Sequence, residues 1–148
     1  MGKRLLILFL FSFLILIATY PVRVLEIKFN NHSLLLPLTS TLIISVEYVH
    51  SVSLTKVVDT YSVNKSGIYF IETKWQEFEA GQPLNGSFEG EFLVKKTSKF
   101  LGKEWKYWFI PLNNFTLKVD GNSFHQPNED GFLEFKVKEI PAFKLIAR

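Results

Sequence analysis

What most constrains this chain is a two-residue rhythm. In residues 23–29, Leu25, Ile27 and Phe29 alternate with Val24, Glu26 and Lys28. Side chains of an extended strand point to opposite faces in turn, so such a segment buries one face and shows the other to water. Similar short segments follow at 33–38, 41–50, 56–63, 68–75, 91–96, 104–110, 115–119, 132–137 and 142–146. Turn-forming residues separate them at 30–32, at 64–67 and at Asp120-Gly121, the last a strong hairpin signal. Residues 77–90 have no clear period, and 97–103 read as a basic turn. Strands spaced by about eight to twelve residues, with no amphipathic helix among them, predict an all-β fold. The expectation is an antiparallel β-sandwich or barrel of about eight to ten short strands over residues 23–148.

Ahead of it stands an apolar run. Between Leu5 and Ala18 only Ser12 is polar, and Lys3 and Arg4 precede the run. Residues 1–22 are therefore expected to be a transmembrane helix, of about 27 Å over residues 5–22. The basic pair would keep the N-terminus inside and place the β domain outside, in a single-pass arrangement at the cell membrane. The alternative is a signal peptide, with secretion after cleavage, although Ala18-Thr19-Tyr20 is a poor cleavage site. Asn-x-Ser/Thr acceptors for glycosylation at Asn31, Asn64, Asn85 and Asn114 agree with an external domain.

Composition excludes several classes of function. The chain has no Cys, which removes disulfides, thiolate metal sites and Cys nucleophiles. Its formal charge is +3, and setting aside Lys3 and Arg4 leaves 15 basic against 14 acidic side chains, no footprint for nucleic acid. There is no phosphate-binding loop, dinucleotide fingerprint or His-Glu-x-x-His, and no cofactor or metal is expected.

Residues 41–63 form the sharpest local constellation. Tyr48 and His50 share a face of one strand, and Asp59 and Tyr61 share a face of the next. With a turn centred near Ser53-Leu54, His50 would lie diagonal to Asp59, within side-chain reach. Such a pair lines a pocket with Ser51 at its rim, or else satisfies itself inside the fold and pins the hairpin register. A second patch gathers Lys95, Lys96, Lys99 and Lys103 around Trp105 and Trp108, a candidate face for a membrane or a partner.

Tyr48-Val49-His50-Ser51-Val52, Val58-Asp59-Thr60-Tyr61 and Ala80-Gly81-Gln82-Pro83, with the Leu-Leu-Leu-Pro-Leu of 34–38, resemble the domain-of-unknown-function family DUF1850. Asp59 stands where that family usually has Glu, and Glu79 replaces the first Gly of its Gly-Ala-Gly-x-Pro element. The resemblance implies a small membrane-anchored or secreted protein, often encoded beside the membrane subunit of TAXI-type tripartite transporters, with no established activity. It implies Gly81 and Pro83 as further binding residues beside Tyr48, His50, Ser51, Asp59 and Tyr61. The expected function is thus an accessory or binding part of a solute transport system. Its partners would be the membrane and a multi-span transporter subunit or solute-binding protein. A structural envelope protein and a His/Asp-dependent enzyme are the alternatives.

Overall fold

The computed structural model describes residues 2–76, 85–125 and 129–146. A helix, α1 (Gly2–Thr19), leads after one residue into β1 (Pro21–Phe29). Then follow β2 (His32–Pro37), β3 (Leu42–Val49), β4 (Lys56–Asn64), β5 (Gly67–Trp75), β6 (Ser87–Glu89), β7 (Phe92–Gly102) and β8 (Glu104–Phe109). A 3₁₀ turn at Pro111–Asn113, β9 (Thr116–Val119), β10 (Asn122–His125), β11 (Gly131–Pro141) and the short helix α2 (Phe143–Ile146) complete the order.

Among the described residues eleven strands form two antiparallel sheets, a four-stranded one in the order β2-β1-β11-β8 and a seven-stranded one in the order β10-β9-β3-β4-β5-β7-β6. Their apolar faces close on one core. Leu25, Ile27 and Phe29 of β1 and Leu133, Phe135 and Val137 of β11 meet Ile44 and Val46 of β3 and Tyr61 and Val63 of β4. The ring of Phe115, just before β9, lies between those of Phe29 and Phe109, at 5.2 and 4.3 Å. The rhythm of the sequence is the cause: β11 alternates buried and exposed residues over its first seven positions.

Three expectations are corrected. Among the described residues no helix is long and apolar enough to cross a membrane. Residues 2–19 are helical, but Lys3 and Arg4 take up the first turn. The uncharged part spans about 22 Å against roughly 30 Å of hydrocarbon. Residues 97–103 are not a turn, because β7 runs on to Gly102. Past Thr97 its side chains are largely exposed on both faces, so no apolar period marks it; backbone pairing of Phe100 with Tyr69 and of Gly102 with Ile68 holds it to β5. Residues 142–146 close the chain as α2 rather than as a strand.

Gly102 (φ +101) lets the chain leave the seven-stranded sheet, and one residue later β8 joins the other. That crossing lays β8 over β4, on which the candidate site depends.

Candidate functional site

β3 and β4 pair with Val46 opposite Asp59 and Tyr48 opposite Val57, and Val49–Lys56 is the last rung. The connection closes tightly: the His50 amide donates to the Thr55 carbonyl (2.9 Å) and the Leu54 amide to the His50 carbonyl (2.9 Å). The turn is therefore centred nearer residues 52–53 than expected, and the register places Tyr48, not His50, diagonal to Asp59. His50 and Asp59 do not form a pair.

Asp59 is instead the hub of a hydroxyl cluster. Thr73 Oγ1 on β5 donates to its Oδ1 (2.6 Å). Tyr107 on β8 donates to Oδ2 (2.9 Å), and Tyr48 reaches the same oxygen at 3.4 Å. The Tyr107 bond spans the two sheets, since β8 belongs to the four-stranded sheet and β4 to the seven-stranded one. Asp59 is buried. Burial holds its carboxyl above the usual carboxylate range, and the bonds from Thr73 and Tyr48 offset that only in part. The same burial, with the nearby Asp59 charge, pushes the phenols of Tyr48 and Tyr61 up, out of reach of physiological titration. The Tyr48 phenol acts as a donor here and not as a base.

A second chain of contacts runs to the turn. Trp75 Nε1 donates to Thr73 Oγ1 (2.9 Å), and the Trp75 and His50 rings lie 5.3 Å apart. His50 Nδ1 is 3.2 Å from Ser53 Oγ, which is 2.7 Å from Thr55 Oγ1. From the other side Asn113 Nδ2 donates to the Val49 carbonyl (2.9 Å). The turn is thus clamped at its base, while its tip carries apolar side chains: Val52 is 73% exposed and Leu54 62%. Leu54 also holds φ +54, a left-handed conformation that leucine adopts at a cost. It lines a cavity of about 290 Å³ together with Tyr48, Lys56, Gln76 and Thr116. Glu47, in the same wall, bonds Lys118 and Lys56; burial would raise its carboxyl, but the two lysines hold it below the usual range.

The other residues singled out by sequence are dispersed. Ser51 is exposed in the turn, and Tyr61 is core, its ring 6.2 Å from that of Tyr107. Gly81 and Pro83 lie outside the described residues. Trp105 and Trp108 are three apart on β8 and take opposite faces, Trp105 toward Tyr107 and Trp108 against the outward Phe132. The lysines do not form one face with them: Lys95 is half-buried, Lys96 bonds Glu89, and Lys99 and Lys103 are exposed on β7 and just beyond it. Asn31, Asn85 and Asn114 are exposed, and Asn64 is half-buried with Oδ1 accepting from the Ser66 amide.

Sequence reasoning missed Thr73, Trp75 and Tyr107. Thr73 sits opposite Asp59 in the β4–β5 register, which period-two counting from Gly67 misses because a bulge intervenes. Among the described residues no group of three or more acidic, His or Cys side chains is placed to hold a metal.

The model of the domain of unknown function (DUF1850) matches residues 44–125. That span runs from β3 to the end of β10 and contains every member of the Asp59 cluster and the whole clamped turn. No curated protein and no solved structure matches the chain.

Proposed function

The chain belongs to the DUF1850 family, and on that premise we propose that it is a non-enzymatic docking domain, an accessory of a tripartite solute transporter of the TAXI type. The domain works outside the cytoplasm, with α1 serving as its targeting segment. Lys3 and Arg4 followed by fifteen uncharged helical residues have the form of an export signal.

One observation carries the docking reading: Leu54 at the tip of the family's motif turn. A bulky residue at positive φ costs about 1–2 kcal/mol relative to glycine's free choice of that conformation. Here it is kept, exposed, beside the still more exposed Val52, on a turn held from beneath by His50, Ser53, Thr55 and Asn113. Rigid apolar side chains presented to solvent lose little entropy on binding, the property of an interface anchor. The catalytic alternative has weaker support, because the hydroxyl groups bonded to Asp59 donate into it and leave it no substrate-facing partner.

The test is co-purification. The tagged full chain, solubilised in mild detergent from its own cells, brings down the multi-span transporter subunit. Recovery of the chain alone from cells that express that subunit contradicts the reading.

A further inference from the structure

One end of the sandwich gathers features that the motif turn does not use. α1 passes into β1 through Tyr20 alone, so this end lies at the foot of α1. Every large apolar side chain of α1 from Leu5 to Ile17 is exposed. A helix that is apolar on all sides is stable only in apolar surroundings, and α1 is not long and apolar enough to cross a bilayer. At its foot α2 folds back: the Ala142 amide donates to the Tyr20 carbonyl (2.9 Å). Tyr20, Phe143 and Ile146 are all exposed there.

The charges of this end do not balance. Glu139, Glu26 and Glu104 are answered by Arg23, Lys138 and Lys136. Lys65, Lys103 and Lys144 are exposed and form no ion pair among the described residues. Backbone atoms hold the first two in place. The Arg23 guanidinium reaches across the sheets to donate to the Lys65 carbonyl (2.8 Å), and the Val137 amide donates to the Lys103 carbonyl (2.8 Å). Two cavities lie here. One, of about 360 Å³, has Arg23, Lys103 and Lys138 in its wall with Glu139. The other, of about 280 Å³, is lined by Thr39, Ser40, Thr41 and Ser66 with Lys65, and no carboxylate borders it. Hydroxyl donors and an ammonium without a carboxylate fit a phosphate group.

We propose that this end of the domain seats on an anionic phospholipid surface. α1 and the exposed Tyr20, Phe143 and Ile146 enter the apolar layer, and Lys65, Lys103 and Lys144 lie among the headgroup phosphates. The seat needs no helix that crosses the bilayer. Apolar side chains ringed by unpaired lysines match a surface that is apolar beneath and negative above, which a protein core is not. The nine residues of β4 separate the seat from the motif turn by about 27 Å, so Val52 and Leu54 stand at the far end. The inference is therefore independent of the transporter reading.

The chain has no Cys, so a single introduced thiol can carry a fluorophore at either end. Full-length Ser66→Cys and Ser51→Cys, each labelled, are reconstituted into vesicles of phosphatidylcholine with or without phosphatidylglycerol, and a nitroxide on the lipid headgroup serves as quencher. In vesicles with phosphatidylglycerol the label at Ser66 is quenched severalfold more than the label at Ser51. That excess falls away in phosphatidylcholine alone and in high salt, which screens the lysines. It also falls away when Lys65→Glu, Lys103→Glu and Lys144→Glu are combined, since three lysines at an anionic surface shift the seated fraction by roughly a hundredfold. Equal quenching at Ser66 and Ser51 with phosphatidylglycerol present overturns the proposal. Quenching at Ser66 that neither salt, neutral lipid nor the three substitutions reduce does the same, since the tether through α1 would then account for it.

Discussion

A single carboxylate shows what burial does to chemistry in this molecule. Asp59 has three hydroxyl donors and still ionises less readily than an exposed aspartate, because desolvation outweighs them. Its folded pKa is raised above its unfolded one. The stability it contributes is therefore fully present below the ordinary carboxylate value and is lost as pH climbs through that value to the folded one. Paired melting curves of the wild type and Asp59→Asn check this: the wild type's advantage shrinks as pH rises from below 3.8. An advantage that grows with pH would place the pKa on the other side. The Glu47 carboxyl, held down by Lys118 and Lys56, works in the opposite sense, so only the difference between the two curves isolates Asp59.

The strands show how these residues came to meet. Tyr107 reaches Asp59 because β7 and β8 belong to different sheets, and its bond ties the sheets together. Removing it with Tyr107→Phe leaves a buried carboxylate short of a donor and costs about 1.5–3 kcal/mol in denaturant unfolding. Tyr48→Phe, which gives up a contact at 3.4 Å, costs less. Equal losses would mean that the phenol bonds do not set the strength of the cluster. Most of the strands were legible in the sequence wherever one face is buried, as in β1, β4 and β11, because burial writes period two into the side chains. The far half of β7 was not, since most of its side chains are exposed and only Leu101 and Phe100 find apolar neighbours. The Asp120-Gly121 turn was legible too, and its φ values of +47 and +81 are those its residues favour. The register of the β3–β4 hairpin was not: the hydrogen bonds that close its turn run through backbone atoms of His50, Leu54 and Thr55, whose identities do not encode the count. A shift of the turn centre by one residue, which moves the pairing by two, exchanged His50 for Tyr48 beside the carboxylate.

At the scale of the whole molecule, the family match and the sandwich divide the chain differently. The match takes in the seven-stranded sheet and β8, whereas β1, β2 and β11 lie outside it. The cluster and the turn thus fall within the matched span. Resemblance over the motif residues was legible before any fold was known. The setting of the motif was not: its Asp lies inside the core and its turn at the surface. The central claim is that this turn docks a protein, and Leu54→Asn tests it most directly. Asparagine tolerates the left-handed conformation better than leucine does and removes the apolar tip. The account predicts a melting temperature equal to or above that of the wild type, together with loss of the multi-span transporter subunit from the detergent co-purification. A variant that keeps its fold and still brings down that subunit as the wild type does would contradict it.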